Sequence, residues 1–161
     1  MSVRYTTSLV VRALFDTLGG VKGKTFLDLF AGSGRVGEEA LRRGAREVVF
    51  VEINPRMVRE ISKKVNCKQI LCMDYKKAVQ KLYLEGKMFD IIFADPPYGE
   101  GFINELLVVL DEFPLLSDKG VLVIERSVRE SLDLSMGSWK LVKERRYGDT
   151  VLTYLCRGCK D

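Results

Sequence analysis

The chain has no histidine, a single tryptophan, four prolines and four cysteines among 161 residues. The missing histidine excludes Ser-His-Asp triads, Cys-His pairs and every His-ligated metal centre, so any chemistry here must use other groups. The cysteines (Cys67, Cys72, Cys156 and Cys159) are sparse and fall late in the chain, unlike a secreted disulfide framework, and reduced thiols are expected. Cys156-x-x-Cys159 lacks a second pair and any histidine, so no metal site is expected there. Long apolar runs are absent too: none reaches the roughly 18 residues that span a bilayer, and residues 1–7 lack a signal peptide's apolar stretch. These absences point to a cytoplasmic protein with no membrane partner.

Composition describes what is present. Hydrophobic residues make up 47% of the chain, with no Pro/Ser-rich linker and no internal repeat, which predicts one domain over residues 1–161. Lys and Arg number 26 against 22 Asp and Glu, for a formal net charge of +4. The positives cluster at Arg42, Arg43 and Arg46, at Arg56, Arg59, Lys63 and Lys64, and at Lys140, Lys143, Arg145 and Arg146. Nucleic acid is a reasonable partner for such groups, and solvated helix faces explain them equally well.

Apolar strand-like runs alternate with amphipathic helical patterns, the signature of an α/β fold. A helix over Ser8–Leu18 presents Val11, Leu14, Phe15 and Leu18 on one face and stops at Gly19-Gly20. A strand at Thr25–Leu29, a turn at 30–34, a helix at 35–43 and a strand at 47–52 follow. Asn54-Pro55 opens a helix over 55–65 carrying Met57, Val58, Ile61 and Val65 at helical spacing, and a strand is expected at 68–73. Asp74 caps a helix whose stripe is Tyr75, Ala78, Val79, Leu82 and Tyr83. An almost wholly apolar strand at 88–94 precedes a helix at Phe102–Glu112 and a strand at 120–126. Two runs, Trp139–Tyr147 and Thr150–Arg157, are separated only by Gly148-Asp149, a hairpin signal.

Two motifs carry the chemistry. The first, Asp28-Leu29-Phe30-Ala31-Gly32-Ser33-Gly34-Arg35-Val36-Gly37, contains G-x-G-x-x-G between a strand and a helix, and Glu52 follows at the end of the next strand. Glycines there let main chain approach a ligand at a helix N-terminus, and Glu52 can accept hydrogen bonds from both hydroxyls of a ribose. That pattern suits a nicotinamide dinucleotide or another adenosine-containing ligand. Asp28 bears on the choice, because a carboxylate at the strand tip would repel a pyrophosphate and attract an ammonium group. S-adenosylmethionine has an ammonium and a sulfonium. Asp74 could accept from the adenine amino group as well as cap its helix.

The second motif, Asp95-Pro96-Pro97-Tyr98, closes a buried strand with two prolines that hold the backbone extended. The Asp95 carboxylate and the Pro96 carbonyl then face one cleft, a pair of acceptors that matches an NH2 donor. Tyr98 can stack on a base flipped out of its helix. Arg4, Arg12, Arg126 and Arg129 are candidates to line the mouth and meet phosphates.

With these residues in order, the chain resembles the S-adenosylmethionine-dependent amino methyltransferases of Rossmann-like fold over nearly its whole length. The Asp28–Gly34 motif and Arg4-Tyr5-Thr6-Thr7-x-x-x-Val11-Arg12-Ala13-Leu14-Phe15 are most similar to the bacterial guanine-N2 methyltransferases of small-subunit ribosomal RNA (RsmD-like). The resemblance implies a seven-stranded, mostly parallel sheet with a C-terminal antiparallel hairpin and helices on both faces. It implies S-adenosyl-L-methionine as cofactor, held by Thr6, Thr7, Asp28, Phe30, Ala31, Gly32, Ser33, Gly34, Glu52, Ile53, Asp74, Tyr75 and Asp95. It also implies a flipped guanine at Asp95, Pro96, Pro97 and Tyr98, and ribosomal RNA or a small-subunit particle as partner. Because the aspartate-proline-proline-tyrosine form is common among adenine-N6 enzymes, adenine in RNA or DNA is the alternative substrate. A nicotinamide-dependent oxidoreductase and a non-catalytic RNA-binding scaffold are the alternatives of other classes.

Overall fold

The structure, a computed structural model, describes residues 8–66, 69–99, 101–135 and 137–158. Element order is α1 (Ser8–Leu18), β1 (Thr25–Leu29), α2 (Arg35–Arg42), β2 (Glu47–Val51), α3 (Pro55–Lys64), β3 (Ile70–Leu71), α4 (Tyr75–Leu84), β4 (Phe89–Ala94), α5 (Phe102–Glu112), β5 (Leu116–Ser127), β6 (Trp139–Tyr147) and β7 (Thr150–Arg157). The seven strands form one sheet in the order β3-β2-β1-β4-β5-β7-β6. β1 through β5 pair in parallel, while β7 runs antiparallel to both β5 and β6. This is the Rossmann-like arrangement expected, its C-terminal hairpin antiparallel.

β1 is buried along its whole length, as a central strand covered on both faces must be. Alternate strand residues therefore feed two separate cores. Leu27, Leu29, Val49, Val51, Ile92 and Ala94 pack with Ala78 and Val79 of α4 and Leu106 and Leu110 of α5. Phe26, Val48, Phe50, Ile91 and Phe93 face Leu14 and Phe15 of α1, Ala40 of α2 and Ile61 of α3.

Local departures from the sequence pattern have physical causes. α1 buries Val10, Leu14 and Phe15, leaving Val11 and Leu18 half-buried at the rim of its core. Of the apolar residues on α3 only Ile61 is buried. Tyr83 is exposed at the edge of its stripe, its ring edge-on to Phe113. Among the described residues β3 is shorter than the pattern suggests, an edge strand in register with β2 through Ile70 and Leu71. β5 begins earlier, at Leu116, because Leu116 pairs with Phe89 before the register jumps to Val121 opposite Ile91. Gly120 permits that jump: a Cβ there would lie 2.9 Å from the Leu116 side chain and 3.0 Å from the Ser117 carbonyl oxygen.

The connections leave β1 for β2 and β3 on one side of the sheet and β4 and β5 on the other. The strand order thus reverses between β1 and β4, and a crevice opens beyond their carboxyl ends. Leu29 at the end of β1 pairs with Ala94 at the end of β4, which brings both sequence motifs to this crevice.

Candidate active site

Asp28 sits one residue before the end of β1 and is almost wholly buried. The Gly37 N–H, in the first turn of α2, donates to its Oδ2 at 3.0 Å. Burial raises its pKa well above the ordinary carboxylate value, the Gly37 bond opposes this, and Asp95 and Glu52 raise it further through like-charge repulsion. One carboxylate therefore anchors α2 and faces a cavity of about 300 Å³ that Phe30, Ala31, Gly32, Ser33, Asp95 and Glu125 also line.

The glycines of the first motif have different reasons to be there. Gly32 lies at φ +58° with no atom within 4 Å of a Cβ position, so it turns the chain beside open space. At Gly34 and Gly37 a Cβ would come within 2.8 Å of Ile61 and 2.3 Å of Phe50 respectively. Those two let α2 pack closely on β2 and α3, and Gly34 stands next to Ser33, which lines the cavity. Phe30 is the only non-glycine at positive φ among the described residues, at 57°. Its ring packs against Tyr75 and Phe102 at centroid distances of 4.8 and 6.4 Å. That conformation costs of order 1–3 kcal/mol and persists where the surroundings enforce it, commonly at ligand sites.

Phe30 also borders a second cavity of about 180 Å³ with Glu52, Ile53, Met73, Asp74, Tyr75, Pro97 and Phe102. Glu52 already accepts two bonds within the protein. Its Oε1 accepts from the Gly32 N–H at 2.7 Å and its Oε2 from the Asn54 N–H at 2.9 Å, tying the glycine loop to the start of α3. A carboxylate has about four acceptor sites, so it retains capacity for a ligand's hydroxyls. Asp74 caps α4, accepting from the Lys76 N–H at 3.0 Å. The Tyr75 hydroxyl donates to Glu105 at 2.6 Å, and burial together with that carboxylate pushes its pKa upward.

Beyond β4, Asp95 is half-buried, Pro96 buried and Pro97 exposed. Asp95 lines the first cavity and Pro97 the second. Tyr98 is 60% exposed and borders a third cavity of about 260 Å³ with Gly99, Asn104, Arg129 and Glu130. The loop thus divides its residues among three hollows. Thr6 and Thr7 lie outside the described residues, as do Arg4, Cys67 and Cys159.

Sequence reasoning missed Glu125, which is buried at the end of β5 yet lines the first cavity beside Asp28 and Asp95. Its signal was available: like Asp28 and Asp95, it is a carboxylate closing an apolar run. Arg126 does not reach the mouth. Its guanidinium is engaged with Thr153 at 3.1 Å, Glu144 at 2.7 Å and the Glu130 carbonyl at 2.7 Å. Arg129 is exposed there, 3.8 Å from Asp149, and Arg12 lines a separate groove with Arg35, Arg42, Arg43, Glu38 and Glu39.

A seven-stranded sheet with this order, its acidic strand ends gathered at the switch point, is the fold of a Rossmann-like methyltransferase. The family model described as conserved hypothetical protein 95 matches residues 1–156, and the chain belongs to that family. It is 33% identical, over 98% of its length and 90% of the relative's, to the Bacillus subtilis protein named "Putative rRNA methyltransferase YlbH". It is 29% identical to the Escherichia coli K12 protein named ribosomal RNA small subunit methyltransferase D, over 92% of this chain and 77% of that one. Among solved structures, "Putative methyltransferase yhhF" from Escherichia coli superposes with a TM-score of 0.84 at 25% identity, covering 99% of this chain and 90% of that one.

Proposed function

We propose that this enzyme transfers a methyl group from S-adenosylmethionine to the exocyclic N2 of a guanine in small-subunit ribosomal RNA. The observation that carries the reading is the gathering of Asp28, Asp95 and the Gly32 turn around one cavity, with Glu52, Asp74 and Phe30 around the next. This donor set fits the cofactor. Asp28, Asp95 and Glu125 suit a cationic end, whereas Ile53, Pro97 and Phe102 suit a flat heterocycle and Glu52 a ribose. Bound there, the cofactor supplies a methyl group activated by its sulfonium.

The protein's own part is orientation and charge. Asp95 and the Pro96 carbonyl accept the two protons of the substrate amine, which favours the pyramidal nitrogen that can attack. No strong base is needed, since the methylated amine is acidic enough to pass its proton to Asp95 or to water. Tyr98, largely exposed beside Arg129, stacks on the flipped base while the arginine meets phosphate. No helix among the described residues is long and apolar enough to cross a membrane, and RNA of the small subunit is the cytoplasmic partner this reading requires.

Transfer of labelled methyl to unmodified small-subunit RNA, free and in particles, tests the proposal after digestion to nucleosides. Label in N2-methylguanosine is the expected result. Label in N6-methyladenosine would move the enzyme to adenine, and no labelled nucleoside would overturn the RNA reading.

A further inference from the structure

Pro96 and Pro97 supply no N–H to anchor the Asp95–Tyr98 loop. Gly99, the next residue, is held from both sides. Its carbonyl accepts from the Phe102 N–H at 3.4 Å, at the start of α5, and its N–H donates to Glu130 Oε2 at 3.1 Å. The other carboxylate oxygen of Glu130 accepts from the Ser127 N–H at 3.1 Å, at the end of β5. Glu130 thus spans the gap between the loop after β4 and the end of the neighbouring strand.

The turn that presents Glu130 also has three bonds that do not use its carboxylate. The Glu130 N–H donates to the Ser127 carbonyl at 3.0 Å, the Arg129 N–H to Ser127 Oγ at 3.2 Å and the Val128 N–H to the Asp149 carbonyl at 2.9 Å. Arg126 then clasps the Glu130 carbonyl while bonding Thr153 and Glu144 on the C-terminal hairpin. Among the described residues, the side chain's one long-range bond goes to Gly99. Its location, facing the cavity that Tyr98 borders, follows from the same turn.

We infer that Glu130 is a positioning residue for methyl transfer: its carboxylate straps the loop bearing Asp95 and Tyr98 to the rigid β5–hairpin unit and thereby fixes the acceptors against the substrate amine. This deepens the methyltransferase reading above and rests on it. An unstrapped loop keeps its residues but lets them wander, and a displacement of about 1 Å at a reacting centre can cost about a hundredfold in rate.

Glu130→Gln and Glu130→Ala test this. Gln keeps one acceptor oxygen and places an NH2 group against the second N–H, whereas Ala removes both acceptors. Expected for Glu130→Gln is a fall in kcat of about 10- to 100-fold, at least as large in Glu130→Ala. Affinity for S-adenosylhomocysteine should stay within about threefold and the melting temperature close to wild type, because the turn persists. Amide hydrogen exchange supplies a readout that needs no substrate: the Gly99 amide should exchange faster in both variants while the amides of β5 ahead of Ser127 do not. An unchanged kcat, or an unchanged Gly99 amide, overturns the inference. So does a loss of kcat matched by equal losses of cofactor affinity and melting temperature, which would make Glu130 merely structural. Wild-type protein that labels no nucleoside overturns the rRNA reading instead, and the Gly99 amide then decides the strap alone.

Discussion

Burial holds the Asp28 carboxyl above its ordinary value of 3.8, so in the folded protein it takes up a proton more readily than in the unfolded chain. Its contribution to stability is therefore fully present below about pH 3.8 and is lost as pH rises through the folded-state pKa. Asp28→Asn keeps an oxygen for the Gly37 N–H and removes the charge. The variant should melt above wild type at pH 8, the difference shrinking toward pH 4, yet bind S-adenosylmethionine at least about tenfold more weakly. Scanning calorimetry across that range and a cofactor titration check both halves; unchanged affinity would dismiss the ammonium partnership. Asp95 has a second role beside the cofactor's cationic end, so Asp95→Ala should lower turnover at saturating cofactor at least about a hundredfold, beyond any loss of cofactor affinity. Wild-type turnover in that variant would refute its acceptor role.

Opposite the crevice, one side chain joins three strands. Asp90 Oδ2 accepts from the Thr25 N–H at 3.0 Å and from its hydroxyl at 3.2 Å, while Oδ1 accepts from the Ser117 hydroxyl at 2.9 Å, tying the amino ends of β1, β4 and β5. The Thr25 backbone bond is the main cause that lowers its pKa, so this stability is present above 3.8 and lost as pH falls through the lower folded value. Asp90→Ala should cost about 2 kcal/mol in urea unfolding at pH 7, less at pH 3, with cofactor affinity within about twofold of wild type. Elements such as α1 and the β6–β7 pair were legible because glycine punctuation and apolar period agree there. The start of β5 was not, since the register jump at Gly120 depends on packing against Phe89 and Leu116. The site was legible in the same uneven way. Asp28 and Asp95 announce themselves as charges ending apolar strands. By contrast, the capture of Glu52 by Gly32 and Asn54, and the turning of Tyr98 toward Arg129, follow from rotamers and loop paths that no spacing encodes.

Across the whole sheet, β1 and β4 lie between paired neighbours, while β3 joins through two residues and β6 forms the outer edge. Native-state amide exchange should find Leu27, Ile92 and Val123 opening only with global unfolding, and Leu71 and the β6 edge orders of magnitude faster. Uniform protection from β3 to β6 would contradict that gradient. The parallel strands also give the molecule two poles. Ser8 accepts from Arg35 beside the glycine turn, at the pole of the crevice, whereas β7 runs from Thr150, opposite Ser127, down to Arg157, opposite Trp139, at the other. A fluorophore, affinity handle or surface tether attached after Arg157 would therefore hang from the far side and leave the crevice open to a bulky substrate.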